Sequence, residues 1–213
     1  MTSKAPGPGS CMRCIQLLLT ILLLAGCTAS QTKLQPEEIS AGAVPVKHNE
    51  TIALLGGTGM AGGYILREAL AQGYAVRALS RSPAKLAYLG NRVTVIEGDA
   101  RDPQAIDTLL SGSDVVISAI GPRSPQDARE RLTSTVSGHI ARAMPGHGIE
   151  RYIVVTGAAV IMPDDERNFT GWLLRQLARL RYSALVTDRQ AEYEVLRDSD
   201  IEWTLVRCPI IAS

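Results

Sequence analysis

The fold is decided by residues 56–63, Gly56-Gly57-Thr58-Gly59-Met60-Ala61-Gly62-Gly63. This stretch follows a short apolar run, Thr51–Leu55, and precedes residues 61–72, in which apolar side chains recur at helical spacing. Glycine lets the chain turn tightly and lets backbone N–H groups approach a phosphate without a Cβ in the way. The first turn of a helix adds unpaired N–H donors. The spacing Gly56-x-x-Gly59-x-x-Gly62 therefore predicts a turn that binds the pyrophosphate of a dinucleotide, and an ordinary glycine-rich turn is the alternative.

Strand and helix patterns alternate along the rest of the chain. The predicted strands are residues 51–55, 74–79, 92–97, 114–119, 151–156 and 202–206. The predicted helices are residues 61–72, 83–89, 103–110, 125–144, 169–181 and 187–198. Such alternation predicts a parallel sheet with right-handed crossovers. We therefore predict a single α/β domain over residues 51–213, a Rossmann-type doubly wound parallel sheet.

The composition limits the classes of function. The chain has 213 residues, of which 46% are hydrophobic and 20% are charged, and these proportions exclude intrinsic disorder for most of its length. A formal net charge of +1 excludes a strongly basic nucleic-acid binder, so we expect no nucleic-acid partner. Cys11 and Cys14 form a single pair with no second pair to complete a metal site, so we expect no metal.

The first 26 residues differ in kind from the rest. They contain Lys4 and Arg13 and no acidic residue, and they include an apolar run over residues 15–25. Eleven residues are too few to span a bilayer as a helix, which takes about 20. A cationic start, a short apolar run and small residues after it are typical of a secretory signal. Residues 27–50 are polar and lack periodicity, which predicts a flexible tether.

The residues at the end of this leader, Leu24-Ala25-Gly26-Cys27, resemble the lipobox of bacterial lipoproteins. The resemblance implies that the signal, residues 1–26, is removed and that the Cys27 thiol is lipidated. The protein would then be a membrane-anchored lipoprotein on the periplasmic side. Thr28, in place of an aspartate, favours release toward the outer membrane. The alternative is that the leader arises from a misassigned start codon, in which case the domain is cytoplasmic.

The glycine stretch has the form GGTGxxG, which is similar to the GATGxxG of atypical short-chain dehydrogenase/reductase-like proteins. Residues 51–209 resemble that group, in particular the NmrA-like and biliverdin reductase B-like NAD(P)H-binding proteins. The other matching pieces are Ser80-Arg81, Gly98-Asp99-Ala100-Arg101-Asp102, Ser118-Ala119-Ile120-Gly121, Val154-Val155-Thr156-Gly157-Ala158 and the stretch 203–209. One piece departs from the pattern, because Arg207-Cys208-Pro209 stands where the group has Arg-Pro. The group usually continues well beyond the sixth strand, whereas this sequence has four residues after Pro209.

The end of the second strand predicts which nucleotide binds. NAD sites usually carry an acidic residue there for the ribose 2′-hydroxyl, but this sequence has Ser80-Arg81-Ser82, with Lys85 one turn later. Arg81 can fork onto a 2′-phosphate and Ser80 can add a hydroxyl. We therefore expect NADP(H) in preference to NAD(H). A solvated loop cation is the alternative role for Arg81.

The family resemblance implies the remaining cofactor contacts. Asp99 would accept a hydrogen bond from the adenine amino group, with Ala100 beside the ring, although Asp99 could instead form a turn. Ala119, Ile120 and Gly121 would line the ribose and nicotinamide side. The predicted cofactor-binding residues are Gly56, Thr58, Gly59, Met60, Ala61, Gly62, Ser80, Arg81, Asp99, Ala100, Ala119, Ile120, Gly121 and Thr156.

Catalytic residues are not identified by the sequence. No tyrosine is followed four residues later by lysine, so the Tyr-x-x-x-Lys pair of classical short-chain dehydrogenases is missing. Thr156 could bond a carbonyl or the cofactor, or could be a structural hydroxyl. We expect an oxidoreductase that reduces a small acceptor such as a flavin, quinone or carbonyl compound, because the cofactor itself then carries the chemistry. The alternative is a non-catalytic NAD(P)-sensing regulator or assembly factor of NmrA-like type, which acts on a protein partner.

Residues 169–181, FTGWLLRQLARLR, form an amphipathic pattern that none of these roles uses. Large apolar side chains fall on one side and three arginines lie beside them. One interpretation is a helix that covers the sheet or a substrate pocket. The other is a helix that lies on a membrane surface.

Overall fold

Six parallel strands form one sheet in the order β3-β2-β1-β4-β5-β6. The computed structural model describes residues 48–163, 165 and 169–208. The strands are β1 (Thr51–Leu55), β2 (Ala75–Ser80), β3 (Thr94–Glu97), β4 (Val115–Ser118), β5 (Arg151–Gly157) and β6 (Glu202–Cys208). Crossover helices connect them, so the predicted doubly wound α/β fold is confirmed.

The helices are α1 (Met60–Ala71), α2 (Pro103–Leu110), α3 (Pro125–Arg129), α4 (Leu132–Ala143), α5 (Phe169–Arg181) and α6 (Ser183–Arg197). Two 3-10 segments, Pro83–Arg92 and Met144–His147, complete the connections. Both faces of the sheet are buried, as a parallel sheet requires. In β1, Ala53 and Leu55 join the core beneath α2 and α4, whereas Ile52 and Leu54 join the core beneath α1.

The strand order reverses at β1, which pairs with β2 on one side and with β4 on the other. The chain therefore leaves the carboxyl ends of β1 and β4 in opposite directions, and a crevice opens between the two loops that follow. This reversal brings the glycine-rich turn beside residues 119–123. The crevice is where ligands bind in open α/β sheets of this kind.

The helix predicted over residues 125–144 was wrong in one respect, because it is divided into α3 and α4. Arg131 lies between them in the left-handed region, with φ of 55°, which a helix interior excludes. The new N-terminus of α4 is capped from a distant element. The buried Asp188 carboxylate on α6 accepts hydrogen bonds from the backbone N–H groups of Thr133 and Ser134, at 2.9 and 3.0 Å.

The segment predicted as a short helix over residues 83–89 is a 3-10 helix instead. It runs from Pro83 to Arg92 and contains a kink at Gly90, where φ is 53°. Ser82 lies at its N-cap, but no side-chain bond caps the segment. In contrast, the side chain of Asp102 caps α2, because its carboxylate accepts from the N–H of Gln104 at 3.0 Å.

Within the described residues, no helix is both long enough and apolar enough to cross a membrane. The predicted signal, residues 1–26, lies outside the described residues, as does most of the predicted tether, residues 27–50. The lipidation site predicted at Cys27 is likewise outside them.

Candidate functional site

The glycine-rich turn packs so closely that side chains cannot fit at two of its positions. Gly56 has φ of 80°, and a Cβ there would lie 2.6 Å from the carbonyl oxygen of Ala119. A Cβ on Gly62 would overlap the carbonyl oxygen of Gly56. The N-cap of α1 is Gly59, which offers no side-chain cap. The backbone donors of the first turn of α1 are therefore available to an anion.

A cavity of about 380 Å³ opens over this turn, between the loops that follow β1, β2, β3 and β4. We refer to it as the switch-point cavity. Its volume is within the usual range for a small-molecule site. Eleven of the predicted cofactor-binding residues line it: Gly56, Thr58, Gly59, Met60, Ser80, Arg81, Asp99, Ala100, Ala119, Ile120 and Gly121.

Three predicted residues do not line the cavity. Gly62 lies beneath the turn, where it allows α1 to approach Gly56. Ala61 is in the first turn of α1. Thr156 is buried in β5, and its Oγ1 has no hydrogen-bond partner among the described residues. Ser118 pairs with Val154, so Thr156 lies two residues further toward the carboxyl edge of the sheet.

The end of the cavity beyond β2 carries positive charge. Arg81, Ser82 and Lys85 line it, and the Arg81 side chain is about half exposed. Arg77, in β2, points elsewhere, because its guanidinium donates to the carbonyl oxygens of Thr108 and Leu109. Of Arg77 and Arg81, Arg81 is therefore the one that a phosphate in the cavity can reach.

Sequence reasoning missed two further cations in the lining, Arg101 and Arg123. Arg123 donates to Thr58 Oγ1 at 3.1 Å, which joins the loop after β4 to the glycine-rich turn. Arg101 donates to Asp127 at 2.7 Å, and this hydrogen bond lowers the pKa of Asp127 to about 2. The local signal for this arrangement is the capping box of α3, Ser124-x-x-Asp127, which fixes the Asp127 carboxylate.

Asp99 performs the turn role that the sequence left open. Its Oδ1 accepts from the backbone N–H of Arg101 at 2.9 Å, which closes a turn after β3. Its Oδ2 lies 3.8 Å from Arg81 and 3.7 Å from Arg101. The carboxylate therefore also sets the positions of two cations at the cavity wall.

A buried polar network supports the opposite wall. Arg189 on α6 donates to the carbonyl oxygen of Ile120 at 2.6 Å and to the Glu192 carboxylate at 2.7 Å. Glu192 also accepts from Ser137, whose hydroxyl lies 3.0 Å from the hydroxyl of Tyr152. Burial raises the pKa of Glu192, and the Arg189 charge opposes that rise. Sequence reasoning missed the network, for which the spacing Arg189-x-x-Glu192 is the available signal.

The chemistry available in the cavity is binding and orientation. Its titratable lining residues within the described chain are Arg81, Lys85, Asp99, Arg101 and Arg123. These residues include no acid–base pair of the tyrosine–lysine type. The described residues also contain no cluster of histidine, cysteine or acidic side chains that could hold a metal. The uncapped start of α1 fits a bound dinucleotide, whose phosphates it can bind.

His139 and His147 belong to other parts of the structure. His147 lies 2.8 Å from an Asp107 carboxylate oxygen, a partner that no fixed spacing in the sequence indicates. Burial lowers the pKa of His139, and its Nδ1 has no hydrogen-bond partner within the described residues. Neither histidine lines the switch-point cavity.

Comparison with known proteins identifies the family. An NAD(P)H-binding family model matches residues 56–213. A (4-alkanoyl-5-oxo-2,5-dihydrofuran-3-yl)methyl phosphate reductase of Streptomyces griseus is 30% identical over 158 residues, which cover 73% of this chain and 46% of the relative. The photosystem II assembly factor Ycf39 of Synechocystis is 30% identical over 104 residues, which cover 48% of this chain and 32% of the relative. The chain thus spans less than half the length of these relatives.

A solved structure with comparable sequence identity is also similar to this chain. It is a Burkholderia pseudomallei protein described as a "putative exported protein", with 30% identity, a TM-score of 0.52, and coverage of 73% of this chain and 70% of that one. The family match includes the glycine-rich turn and every loop that lines the switch-point cavity. The expected resemblance to NAD(P)H-binding proteins is confirmed, and the chain belongs to the NAD(P)H-binding family.

Proposed function

We propose that this domain binds NADP(H) in the switch-point cavity and reduces a small acceptor such as a flavin, a quinone or a carbonyl compound. The observation that carries the proposal is the positive end of the cavity after β2, where Arg81, Ser82 and Lys85 stand and no acidic side chain follows the strand. A ribose 2′-phosphate placed there would meet a forked guanidinium and an ammonium group. A free 2′-hydroxyl would find no carboxylate at the end of β2, the place from which one usually accepts its hydrogen bond.

The pyrophosphate would lie on the first turn of α1. Met60, the first residue of α1, presents a backbone N–H there, and the positive end of the helix dipole adds to it. The Arg123 guanidinium, which bonds Thr58 at 3.1 Å, stands beside the same turn. These groups neutralise phosphate charge and fix the register of the nucleotide in the cavity.

The nicotinamide would lie toward Ala119, Ile120 and Gly121. When bound, the cofactor supplies the hydride. Arg189 holds the Ile120 carbonyl and so fixes this wall. The buried Thr156 hydroxyl would donate to the nicotinamide amide or to the carbonyl of an acceptor, since it has no partner among the described residues. The cavity lining offers no acid–base pair, which favours acceptors such as flavins and quinones that need only orientation and a hydride.

Turnover tests the enzymatic part of this proposal. Purified protein is mixed with NADPH and, separately, a flavin, a quinone or a small carbonyl compound, and the loss of NADPH absorbance is followed. We expect consumption with at least one acceptor, and faster consumption with NADPH than with NADH. The Streptomyces relative, itself described as a reductase, supports an enzymatic role.

The second candidate function is a non-catalytic nucleotide sensor or assembly factor that acts on a protein partner. The missing Tyr-x-x-x-Lys pair favours it, as does the relative described as an assembly factor. NADPH binding without consumption by any acceptor in the panel would support this candidate and exclude the first.

We also propose that the domain is anchored to a bacterial membrane on the periplasmic side through lipidated Cys27. The lipobox sequence supports the anchor, and the similarity to a Burkholderia protein described as exported agrees with it. Cells that express the full chain are fed radiolabelled palmitate. We expect label in the wild-type protein and none in Cys27→Ala, and an unlabelled wild-type chain would favour the cytoplasmic alternative.

A further inference from the structure

Helix α5 exposes its apolar side to solvent. Five of its large hydrophobic side chains are at least 42% exposed: Phe169, Trp172, Leu173, Leu177 and Leu180. At 100° per residue these positions fall within one stripe along the helix. A surface helix of a globular protein normally turns such a stripe toward the core, so this orientation requires a partner for the stripe.

The stripe is bordered by positive charge. Phe169–Arg181 contains three arginines and no acidic residue. Arg179 and Arg181 are exposed, and their positions place them on opposite borders of the stripe. Arg181 also stacks over the exposed ring of Tyr182, at 5.0 Å from its centroid. The surface therefore combines aromatic and aliphatic side chains with cations and carries no negative charge of its own.

The third arginine attaches the helix to the body of the domain. Arg175 donates to the carbonyl oxygen of Ala159 at 3.1 Å, in the loop that follows β5. The carboxyl ends of parallel strands share one edge of the sheet, so α5 lies over the same edge as the switch-point cavity. Arg175 therefore fixes one side of α5 to the domain, and the apolar stripe lies on the side that faces away from the domain.

We propose that α5 docks on an anionic membrane surface. The stripe would enter the boundary between headgroups and acyl chains, and Arg179 and Arg181 would pair with lipid phosphates at its borders. Charge complementarity decides the occupant, because a helix with arginines on both borders and no acid matches a negatively charged planar surface. The inference does not depend on nucleotide binding or on lipidation of Cys27.

The fluorescence of Trp172 tests this inference locally. The chain has two tryptophans, and Trp203 packs edge-on against Tyr193 at 5.9 Å. Trp203→Phe therefore keeps an aromatic ring there and leaves Trp172 as the only tryptophan. The full-length variant is titrated with vesicles of phosphatidylglycerol or of phosphatidylcholine. We expect a blue shift of the emission with phosphatidylglycerol, little change with phosphatidylcholine, and reversal of the shift by added salt.

Charge-reversed variants separate docking by α5 from other contacts. Arg179→Glu with Arg181→Glu should abolish the shift, whereas Arg92→Glu with Arg151→Glu, which makes the same charge change at exposed sites elsewhere, should retain it. An unshifted Trp172 on phosphatidylglycerol overturns the proposal, and so does an equal shift in the Arg179/Arg181 variant. A blue shift that appears without vesicles and grows with protein concentration would assign the stripe to a second copy of the chain and would also overturn it.

Discussion

The buried pair of Arg189 and Glu192 gives the sharpest stability prediction. Their side chains are 12% and 2% exposed, and their charged atoms are 2.7 Å apart. Arg189→Met removes the cation, leaves a buried carboxylate without its counter-charge, and takes a donor from the Ile120 carbonyl. Breaking a buried pair from one side costs about 3–5 kcal/mol, because the remaining charge stays desolvated. We expect the free energy of unfolding to fall by about that amount at pH 7.5.

Two companion variants establish the cause. The double variant Arg189→Met/Glu192→Leu removes both charges and should recover most of the loss, since apolar replacement of a whole buried pair is close to neutral. Arg197→Met breaks the pair with Asp198, in which the side chains are 52% and 66% exposed. That matched change should cost less than about 1 kcal/mol.

The pH dependence of the same variant has a definite sign. Burial already raises the pKa of Glu192 in the folded protein, and Arg189 holds that rise back. Without Arg189 the folded state binds the Glu192 proton more strongly than the unfolded state does. The free energy of unfolding of Arg189→Met should therefore increase as the pH falls toward the pKa of Glu192 in the unfolded chain. It should decrease as the pH rises through the raised pKa of Glu192 in the folded protein.

Urea unfolding followed by circular dichroism at pH 5 and pH 7.5 measures both effects. The destabilisation of Arg189→Met relative to wild type should be smaller at pH 5. A loss below about 1 kcal/mol at pH 7.5, as for an exposed pair, would refute the buried network. A double variant no more stable than the single one would refute the role of the unpaired Glu192 charge.

Three further variants probe the turn, the cap and the site. Gly62→Ala should weaken nucleotide binding by at least about tenfold and cost about 1–3 kcal/mol of stability, because its Cβ would overlap the Gly56 carbonyl. Gly63→Ala is the matched control, since its Cβ would meet nothing closer than 3.7 Å; equal losses in the two variants, measured by calorimetric titration, would contradict this reasoning. Asp188→Asn should destabilise the fold by about 3 kcal/mol in urea, because the amide cannot accept all four hydrogen bonds from Thr133 and Ser134; a neutral outcome would exclude the distant cap. Thr156→Val should lower turnover about tenfold without loss of stability, since the hydroxyl has no partner among the described residues; unchanged turnover would make Thr156 structural.

The sequence was sufficient for features that are encoded locally. The glycine-rich turn and the cation at Arg81 each depend on neighbours a few residues away, and both lie where they were expected. The strand pattern was also sufficient for the doubly wound sheet, because apolar runs separated by helices allow few other topologies.

Features that join distant parts of the chain could not be predicted. The break at Arg131 depends on a cap supplied by Asp188, 55 residues beyond Thr133. The wall at Ile120 depends on Arg189, which is 69 residues away. In the sequence, Asp188 and Arg189 look like the charged residues of any surface helix. They are buried only because α6 packs against α4.

The claim that Arg81 selects NADP(H) is tested most directly by calorimetric titration of the wild-type protein and Arg81→Ala with NADPH and with NADH. We predict tighter binding of NADPH by the wild type. Charge-assisted hydrogen bonds contribute about 1.5–3 kcal/mol, so Arg81→Ala should weaken NADPH binding roughly 10- to 150-fold and change NADH binding little. Arg92→Ala, an exposed cation outside the cavity lining, should bind both nucleotides like the wild type. Equal losses for NADPH and NADH in Arg81→Ala, or no binding of either nucleotide by the wild type, would contradict the account.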